Sequence, residues 1–250
     1  MENKEYYRSI FKRKSFHLFR DTKKLSEEDL NDLSKFLETV VPLHPEIRTK
    51  MKIVKESETT CKRGAEYCIL FYSENKEGYL NNIGYIGEQV DLYLAAHDIG
   101  ALWFGIGKTD ARQDEGMDYV IMIAVSKMDR GKFRKDMFKA KRKPLDEIWT
   151  GDDMNIADIV RFSPSACNTQ PWIAENDDHT LKVFRYRKPG KRGIMPAVLV
   201  TFYNRIDMGI FLFLLEVCLK NEGYVFERET YPDQDDEAQK ALIAQYTYHK

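Results

Sequence analysis

The chain has 250 residues and 43% hydrophobic content, which is enough to bury one large core or two small ones. Its 39 basic and 40 acidic side chains give a net charge of −1, which excludes a global field that attracts nucleic acid or an anionic membrane. The four cysteines form no CxxC pair and no signal-type segment is evident, so we expect reduced thiols in a cytoplasm and no structural zinc.

In the first part of the chain, Ser26 followed by Asp29 predicts a helix start, and apolar residues recur at helical spacing until Pro42. The runs "MKIVKES" and "AEYCILFYSE" predict strands. The run from Ile83 to Ile99 predicts a mostly buried helix closed by Gly100, with His97 as a buried histidine on its apolar stripe. "ALWFGIG" and "YVIMIAVS" are typical of further strands.

In the second part, a short helix is predicted before "FSPSACNTQPW", residues 162–172. Strands at "TLKVFRYR" and "AVLVTFYN", a helix from Ile206 to Asn221 and a strand at "YVFERE" follow. The most apolar run, Ile210 to Leu219, is about half as long as a membrane helix. It therefore predicts a buried helix, and no membrane association is expected.

The two parts resemble one another. Aligning "ILFYS" with "VTFYN" pairs Phe71 with Phe202, and aligning "YIGEQVDLYL" with "DMGIFLFLLE" pairs Gly87 with Gly209. This pattern predicts two copies of one α+β unit, residues 1–150 and 151–250, joined near "IWTGDD". Independent convergence on a similar pattern is the alternative interpretation.

Three polar segments are candidates for binding. "FKRKSFHLF" places Arg13, Lys14, Ser15 and His17 together, which suits a phosphate, although a solvated basic turn has the same pattern. Gly105, Ile106 and Gly107 follow an apolar strand, where backbone N–H groups can approach a flat ligand or simply form a tight turn. "FSPSACNTQPW" offers prolines, Ser165, Asn168 and an indole to a planar heterocycle, and a proline-rich loop before a helix is the alternative.

Other function classes have less support in the sequence. No GxGxxG follows a first strand and no P-loop is present, which disfavours dinucleotide-Rossmann and P-loop folds. No Ser/His/Asp set and no metal-like histidine spacing can be assembled, which disfavours a hydrolase or a metal centre. The basic run 132–143 is interpreted as a solvated linker, and nucleic-acid binding through it is the less favoured hypothesis because aromatic platforms are not interleaved.

Four of these segments together resemble the FMN-dependent nitroreductase family. "PSACNTQPW" is similar to its PSxxNxQPW motif, and "RKSFHLF" resembles its N-terminal RRSxRxF segment. "YLAAHDIGALWFGIG" is similar to its buried helix, glycine and strand, and "RKPLDEI" resembles its C-terminal phosphate-contacting end. The resemblance implies an α+β fold with a nitroreductase-like sheet flanked by helices.

The resemblance also implies which residues hold FMN. Arg13 and Arg142 correspond to phosphate-binding arginines, Ser15 to a second contact and Lys14 to a variable basic position, while His17 replaces a second arginine. Gly105, Ile106 and Gly107 would lie along the isoalloxazine near N5. The flavin-contacting residues of the PSxxNxQPW motif correspond to Pro164, Ser165 and Asn168. No protein residue is expected to act as a nucleophile.

The order of the motifs departs from the family. Typical members carry PSxxNxQPW soon after the first helix, where this chain has "PLHPEIRTK", and they are dimers with FMN at the interface. We therefore expect a fused pair of repeats, an intramolecular pseudo-dimer that binds one FMN between its halves and can be active as a monomer.

The function implied is hydride transfer from NADH or NADPH through FMN to a nitroaromatic, quinone or similar small acceptor, because the cofactor performs the chemistry. The alternative is a flavin-binding or redox-sensing protein with little turnover, which the replacement at His17 motivates.

Overall fold

The structure is a computed structural model that describes residues 1–187, 190 and 193–250. The chain divides into two compact units, Met1–Tyr79 with Ile86–Met137 and Leu80–Tyr85 with Phe138–Lys250. Each unit contains a five-stranded sheet. The α+β class predicted from the sequence is therefore confirmed.

The helices and strands up to residue 137 are α1 (Asn3–Lys12), α2 (Glu27–Leu37), β1 (Thr49–Lys55), β2 (Tyr67–Ser73), α3 (Tyr79–Ala96), β3 (Ile99–Trp103), β4 (Gln113–Asp114) and β5 (Met117–Lys127). The sheet of the first unit has the order β1-β2-β5-β3, with β4 paired to β5, and its strand pairs are antiparallel. Its core includes buried side chains of the sheet and of the segment after α1, among them Phe16, Phe19 and Leu102.

The later elements are β6 (Trp149–Thr150), α4 (Ala157–Val160), β7 (Trp172–Asp177), β8 (Thr180–Tyr186), α5 (Val200–Asn221), β9 (Val225–Thr230) and β10 (Lys240–His249). The second sheet has the order β6-β7-β8-β10-β9. Short β6 runs parallel to β7, and the remaining pairs are antiparallel.

The two units share one strand order. In the first unit, β1 and β2 pair with each other and precede the long helix α3. Two strands after this helix extend the sheet, with β5 next to β2 and β3 next to β5. In the second unit, β7 and β8 pair with each other and precede α5. The strands after this helix extend the sheet, with β10 next to β8 and β9 next to β10. This correspondence supports the proposal of a fused repeat, while the boundary at residue 150 stays a prediction.

Several elements confirm the sequence predictions. Helix α2 begins after Ser26, whose Oγ accepts a hydrogen bond from the Asp29 N–H, and the Asp29 carboxylate accepts one from the Ser26 N–H in return. The structure confirms the strands predicted at β1, β2, β3, β5, β8 and β9. Both long buried helices are present as α3 and α5.

Three predictions are wrong. The run "AVLVTFYN" is not a strand, because α5 already begins at Val200 and Phe202 is helical. Its β-branched and aromatic residues favour strands locally, but a buried helix propagates cooperatively through them. Helix α3 ends at Ala96, so Gly100 lies in β3, and His97 is exposed at the helix end, where its Nδ1 lies 2.8 Å from the Tyr93 carbonyl oxygen.

Helix α5 is apolar on all sides. Residues Ala197–Asn221 are long and apolar enough to cross a membrane by length and composition, with a mean hydropathy of 1.6, but 78% of the apolar window is buried inside the protein. The core helix of a water-soluble protein passes the same test.

Within the second unit, the first turns of α3 cross α5 at two glycines. A Cβ on Gly84 would lie 1.9 Å from the Ile206 carbonyl oxygen, and a Cβ on Gly209 would lie 1.9 Å from the Asn81 carbonyl oxygen. The contact is reciprocal, because each glycine faces the backbone of the other helix.

Candidate functional site

The N-terminal basic segment lies alongside β3. Ser15 forms a parallel bridge with Ala101, and the Phe16 N–H donates to the Ala101 carbonyl over 3.0 Å. Phe16 is buried, whereas Lys14 and His17 are exposed and Ser15 is partly buried. Buried Phe16 therefore anchors the segment, while the side chains of Lys14 and His17 are exposed to solvent.

Arg13 is buried in an ion pair rather than exposed. Its Nε lies 2.7 Å from Oδ2 of Asp91 on α3, and its Nη2 donates to Ser15 Oγ over 3.2 Å. Asp91 Oδ2 also accepts the Trp103 indole N–H over 2.9 Å. Burial alone lowers the pKa of Arg13, but the Asp91 and Glu88 carboxyl groups outweigh it, and the pKa is raised.

Glu88 lies one turn before Asp91 and is fully buried. Among the residues that the structure describes, neither of its carboxylate oxygens has a hydrogen-bond partner. Burial, followed by repulsion from Asp91, raises the pKa of Glu88 well above 4.5, against attraction by Arg13. Burial therefore favours the neutral form of Glu88, and Asp91 is the carboxylate that contacts Arg13.

Residues 105–107 form a tight turn directly after β3. The Gly107 N–H donates to the Phe104 carbonyl over 3.0 Å, and the Gly107 carbonyl accepts from the Tyr119 hydroxyl over 3.0 Å. A Cβ on Gly107 would lie 2.6 Å from Met122 Sδ, so a larger residue there would require the buried Met122 side chain to move. Ile106, at the tip, is 67% exposed and offers an apolar contact to a flat ligand.

In the second unit, the "RKPLDEI" segment packs against the "PSACNTQPW" segment. Arg142 Nη1 donates to Asn168 Oδ1 over 3.1 Å, and Asn168 Nδ2 donates to the Lys141 carbonyl over 3.2 Å. The Lys143 N–H and Nζ donate to the side chain and backbone of Gln170 over 2.8 and 2.7 Å. Two segments more than twenty residues apart in sequence are thus brought together, including two predicted site residues.

The backbone of the "PSACNTQPW" segment is unusual. Cys167, Asn168 and Gln170 all have positive φ angles, between 48° and 55°, which cost energy in residues with side chains. Ser165 Oγ holds this conformation by accepting the Gln170 N–H over 3.0 Å. Pro164 is buried, and the segment ends in buried Trp172, which begins β7 and stacks on Phe211. Asn168 and Cys167 face solvent.

Asp207 of α5 supports the same segment and was missed by the sequence analysis. Its Oδ1 accepts the Ala166 N–H over 2.9 Å, and its Oδ2 is buried with no partner among the described residues. Burial raises its pKa well above 3.8, against the hydrogen bond from Ala166. Asn204, one turn earlier, lies 3.5 Å from Thr169 Oγ1. The signal in the sequence was the pair of polar residues three positions apart in a helix whose buried residues are mostly apolar.

The predicted site residues therefore form two groups, one in each unit. The first unit holds Arg13, Lys14, Ser15, His17, Gly105, Ile106 and Gly107, and the second holds Arg142, Pro164, Ser165 and Asn168. Each group lies on segments whose backbone is fixed by hydrogen bonds and buried anchors.

Comparison with known proteins identifies the fold and the family. A sequence model for a family described as "Putative TM nitroreductase" matches residues 5–218, most of the chain. The chain belongs to this nitroreductase family. A crystal structure from Thermotoga maritima, described as a "putative nitroreductase", has 18% identity and a TM-score of 0.62, and the match covers 99% of this chain and 95% of that one.

Other solved structures match only part of the chain. A nitroreductase described in complex with FMN, from Desulfovibrio desulfuricans, has 16% identity and a TM-score of 0.37, covering 57% of this chain and 93% of that one. A structure from Clostridium acetobutylicum described as an NADH oxidase has 16% identity and a TM-score of 0.43, covering 56% and 96%. No curated protein matches the sequence.

Proposed function

We propose that this nitroreductase-family chain is an FMN-dependent oxidoreductase that uses NADH or NADPH and reduces a nitroaromatic, quinone or similar small acceptor. The observation that carries the proposal is the contact of Arg142 with Asn168, which joins two family-like segments in a chain whose family match covers both. When bound, the flavin supplies the hydride and electron chemistry.

The side chains and backbone groups present are suited to a flavin mononucleotide. A flavin needs a flat surface, hydrogen-bonding groups for its polar edge, and positive charge for its phosphate. The turn at 105–107 offers backbone groups beside the exposed side chain of Ile106, the "PSACNTQPW" segment offers the Asn168 amide, and Lys14 is an exposed cation.

In this proposal the residues bind and orient rather than react. Lys14, Ser15 and His17 contact the ribityl and phosphate end, and residues 105–107 lie along the ring. Arg142, Pro164, Ser165 and Asn168 contact the ring's polar edge and the phosphate. Arg13, whose Nε is bound to Asp91, fixes this segment in place and contributes less charge than an exposed arginine would.

Absorbance spectroscopy tests the proposal directly. The purified protein, or the protein reconstituted with FMN, should show a flavin band, and anaerobic NADH or NADPH should bleach it. A colourless protein that cannot be reconstituted would overturn the proposal. A bound flavin that neither nucleotide bleaches would favour the second candidate, a flavin-binding or redox-sensing protein, which the pairing of Arg13 with Asp91 also motivates.

A further inference from the structure

Arg134 lies in a basic region that the proposed function does not use. The segment after β5 runs beside the N-terminal segment, because the Arg134 N–H donates to the Lys12 carbonyl over 3.1 Å and Lys14 Nζ donates to the Lys132 carbonyl over 2.9 Å. Buried Phe133 and Met137 flank Arg134 and anchor its backbone. Phe133 packs edge-on against Phe16 with ring centroids 5.2 Å apart.

The neighbouring cations of this region are already engaged. Lys12 pairs with Asp98 over 2.6 Å, and Lys132 pairs with Asp21 over 3.3 Å. Arg13 pairs with Asp91 over 2.7 Å. Arg134 differs, because its side chain has no hydrogen bond or ion pair with any residue that the structure describes, although it is only partly exposed.

The charges around Arg134 do not balance. Burial, and then repulsion by Arg13, lower the pKa of Arg134, and the attraction of Asp91 only partly offsets them. The nearby carboxylate of Asp91 already contacts Arg13 over 2.7 Å, so Arg134 has no carboxylate of its own among the described residues. A partly buried guanidinium held beside another cation is a poor arrangement for the protein alone and a good one for an anion.

We propose that Arg134, on the backbone fixed by Phe133 and Met137, is the main anion-binding residue of the first unit and takes a phosphate monoester. This inference rests on the proposed function only for the source of the phosphate. Two sources share this chemistry, the phosphate of the flavin and the 2′-phosphate of NADPH, and they are distinguished by removing each phosphate in turn.

The experiment compares Arg134→Gln with Lys135→Gln, its exposed neighbour, in the full-length protein. Dissociation constants are measured for FMN and riboflavin by flavin fluorescence, and for NADPH and NADH with the flavin-loaded protein. Arg134→Gln removes one charge-assisted contact, so it should weaken binding of the phosphorylated ligand about tenfold or more. Binding of the unphosphorylated analogue should stay unchanged. Lys135→Gln should change none of the four.

A selective loss of FMN assigns the site to the flavin phosphate, and a selective loss of NADPH assigns it to the nucleotide. Equal loss of phosphorylated and unphosphorylated ligands would mean a structural role and would overturn the proposal. Unchanged binding of all four ligands would also overturn it.

A second readout does not depend on flavin. Inorganic phosphate should slow modification of Arg134 by phenylglyoxal, mapped by mass spectrometry, and should not slow that of exposed Arg112. If the parent protein binds no flavin but phosphate still protects Arg134, the proposed function fails while the anion site stands. No selective protection would overturn the anion site itself.

Discussion

At the scale of single residues, the two arginines that the family resemblance pairs have different environments. Arg142 is partly exposed and bonded to Asn168 and to the Phe162 carbonyl, whereas Arg13 is buried against Asp91. A residue that binds ligand and a residue that balances a buried charge respond differently to truncation, so the two roles can be separated.

We expect Arg142→Ala to weaken FMN binding about tenfold or more, since a charge-assisted contact contributes roughly 1.5–3 kcal/mol. Arg13→Ala should instead lower the free energy of unfolding by about 3–5 kcal/mol, because it leaves Asp91 buried without its partner. Titration with FMN and urea unfolding measure the two effects. The control for Arg142→Ala is the exposed neighbour Lys141→Ala, which should weaken FMN binding less. The control for Arg13→Ala is the exposed neighbour Lys14→Ala, which should lower the free energy of unfolding less. An Arg142→Ala protein that binds FMN as tightly as the parent would show that the phosphate assignment is wrong.

Glu88 makes stability depend on pH. Its pKa is raised well above 4.5 in the folded protein, so an unfolded chain releases this proton at lower pH than the folded one does. The unfolded state is therefore favoured progressively as pH rises above about 4.5, until the folded pKa is reached. We expect Glu88→Gln to gain stability relative to the parent between pH 5 and pH 7.5.

Urea unfolding at both pH values measures the difference between variant and parent. Glu77→Gln, an exposed substitution of the same kind, should leave the pH dependence unchanged. If Glu88→Gln keeps the parent's pH dependence, the carboxyl group is not neutral in the folded state.

At the scale of elements, the start of α2 was predicted from Ser26 and Asp29, and the structure shows both hydrogen bonds of the capping box. Ser26→Ala should cost about 1 kcal/mol of unfolding free energy, because the Asp29 N–H loses its acceptor. Ser34→Ala, in the middle of the same helix and exposed, should be neutral or slightly stabilising because alanine is the better helix former. Equal effects of the two substitutions would refute the capping role.

The crossing of α3 and α5 in the second unit depends on the absence of two side chains. Gly84→Ala and Gly209→Ala each place a Cβ within 1.9 Å of a backbone oxygen on the other helix, so the helices must separate. We expect each to lower the thermal midpoint by several degrees or to prevent folding, whereas Gly131→Ala, with no atom within 4 Å, should be tolerated. Thermal unfolding followed by circular dichroism compares the three, and an unchanged midpoint for Gly84→Ala would contradict the close crossing.

At the scale of the whole molecule, the family-like segments are divided between the units without repetition. The basic N-terminal segment is in the first unit, and the "RKPLDEI" and "PSACNTQPW" segments are both in the second. Each family-like segment occurs once in the sequence, so we expect one FMN per chain rather than two.

Flavin released by acid from fully reconstituted protein, divided by the chain concentration, measures this ratio. A ratio near two would show that each chain binds a second FMN and would contradict this expectation. Size-exclusion chromatography of the same sample tests the related expectation that a monomer can be active.

The sequence by itself determined the features that depend on local chemistry. The capping box of α2, the strand-favouring residues of β1 and β2, and the apolar runs of α3 and α5 depend on neighbouring residues, and each segment that indicates the nitroreductase family is contiguous. Weaker local signals misled, because "AVLVTFYN" has the residues of a strand and was taken into α5 by burial.

The tertiary structure alone decided which charges are free. Sequence reasoning treated Arg13 as an available cation, His97 as buried and Arg134 as part of a solvated linker. The structure gives Arg13 a carboxylate partner 78 positions away and leaves Arg134 partly buried, with no carboxylate partner in the part of the chain that is described. The physical reason is that charge balance and desolvation depend on distances between residues remote in sequence, and no pattern of neighbouring residues records those distances.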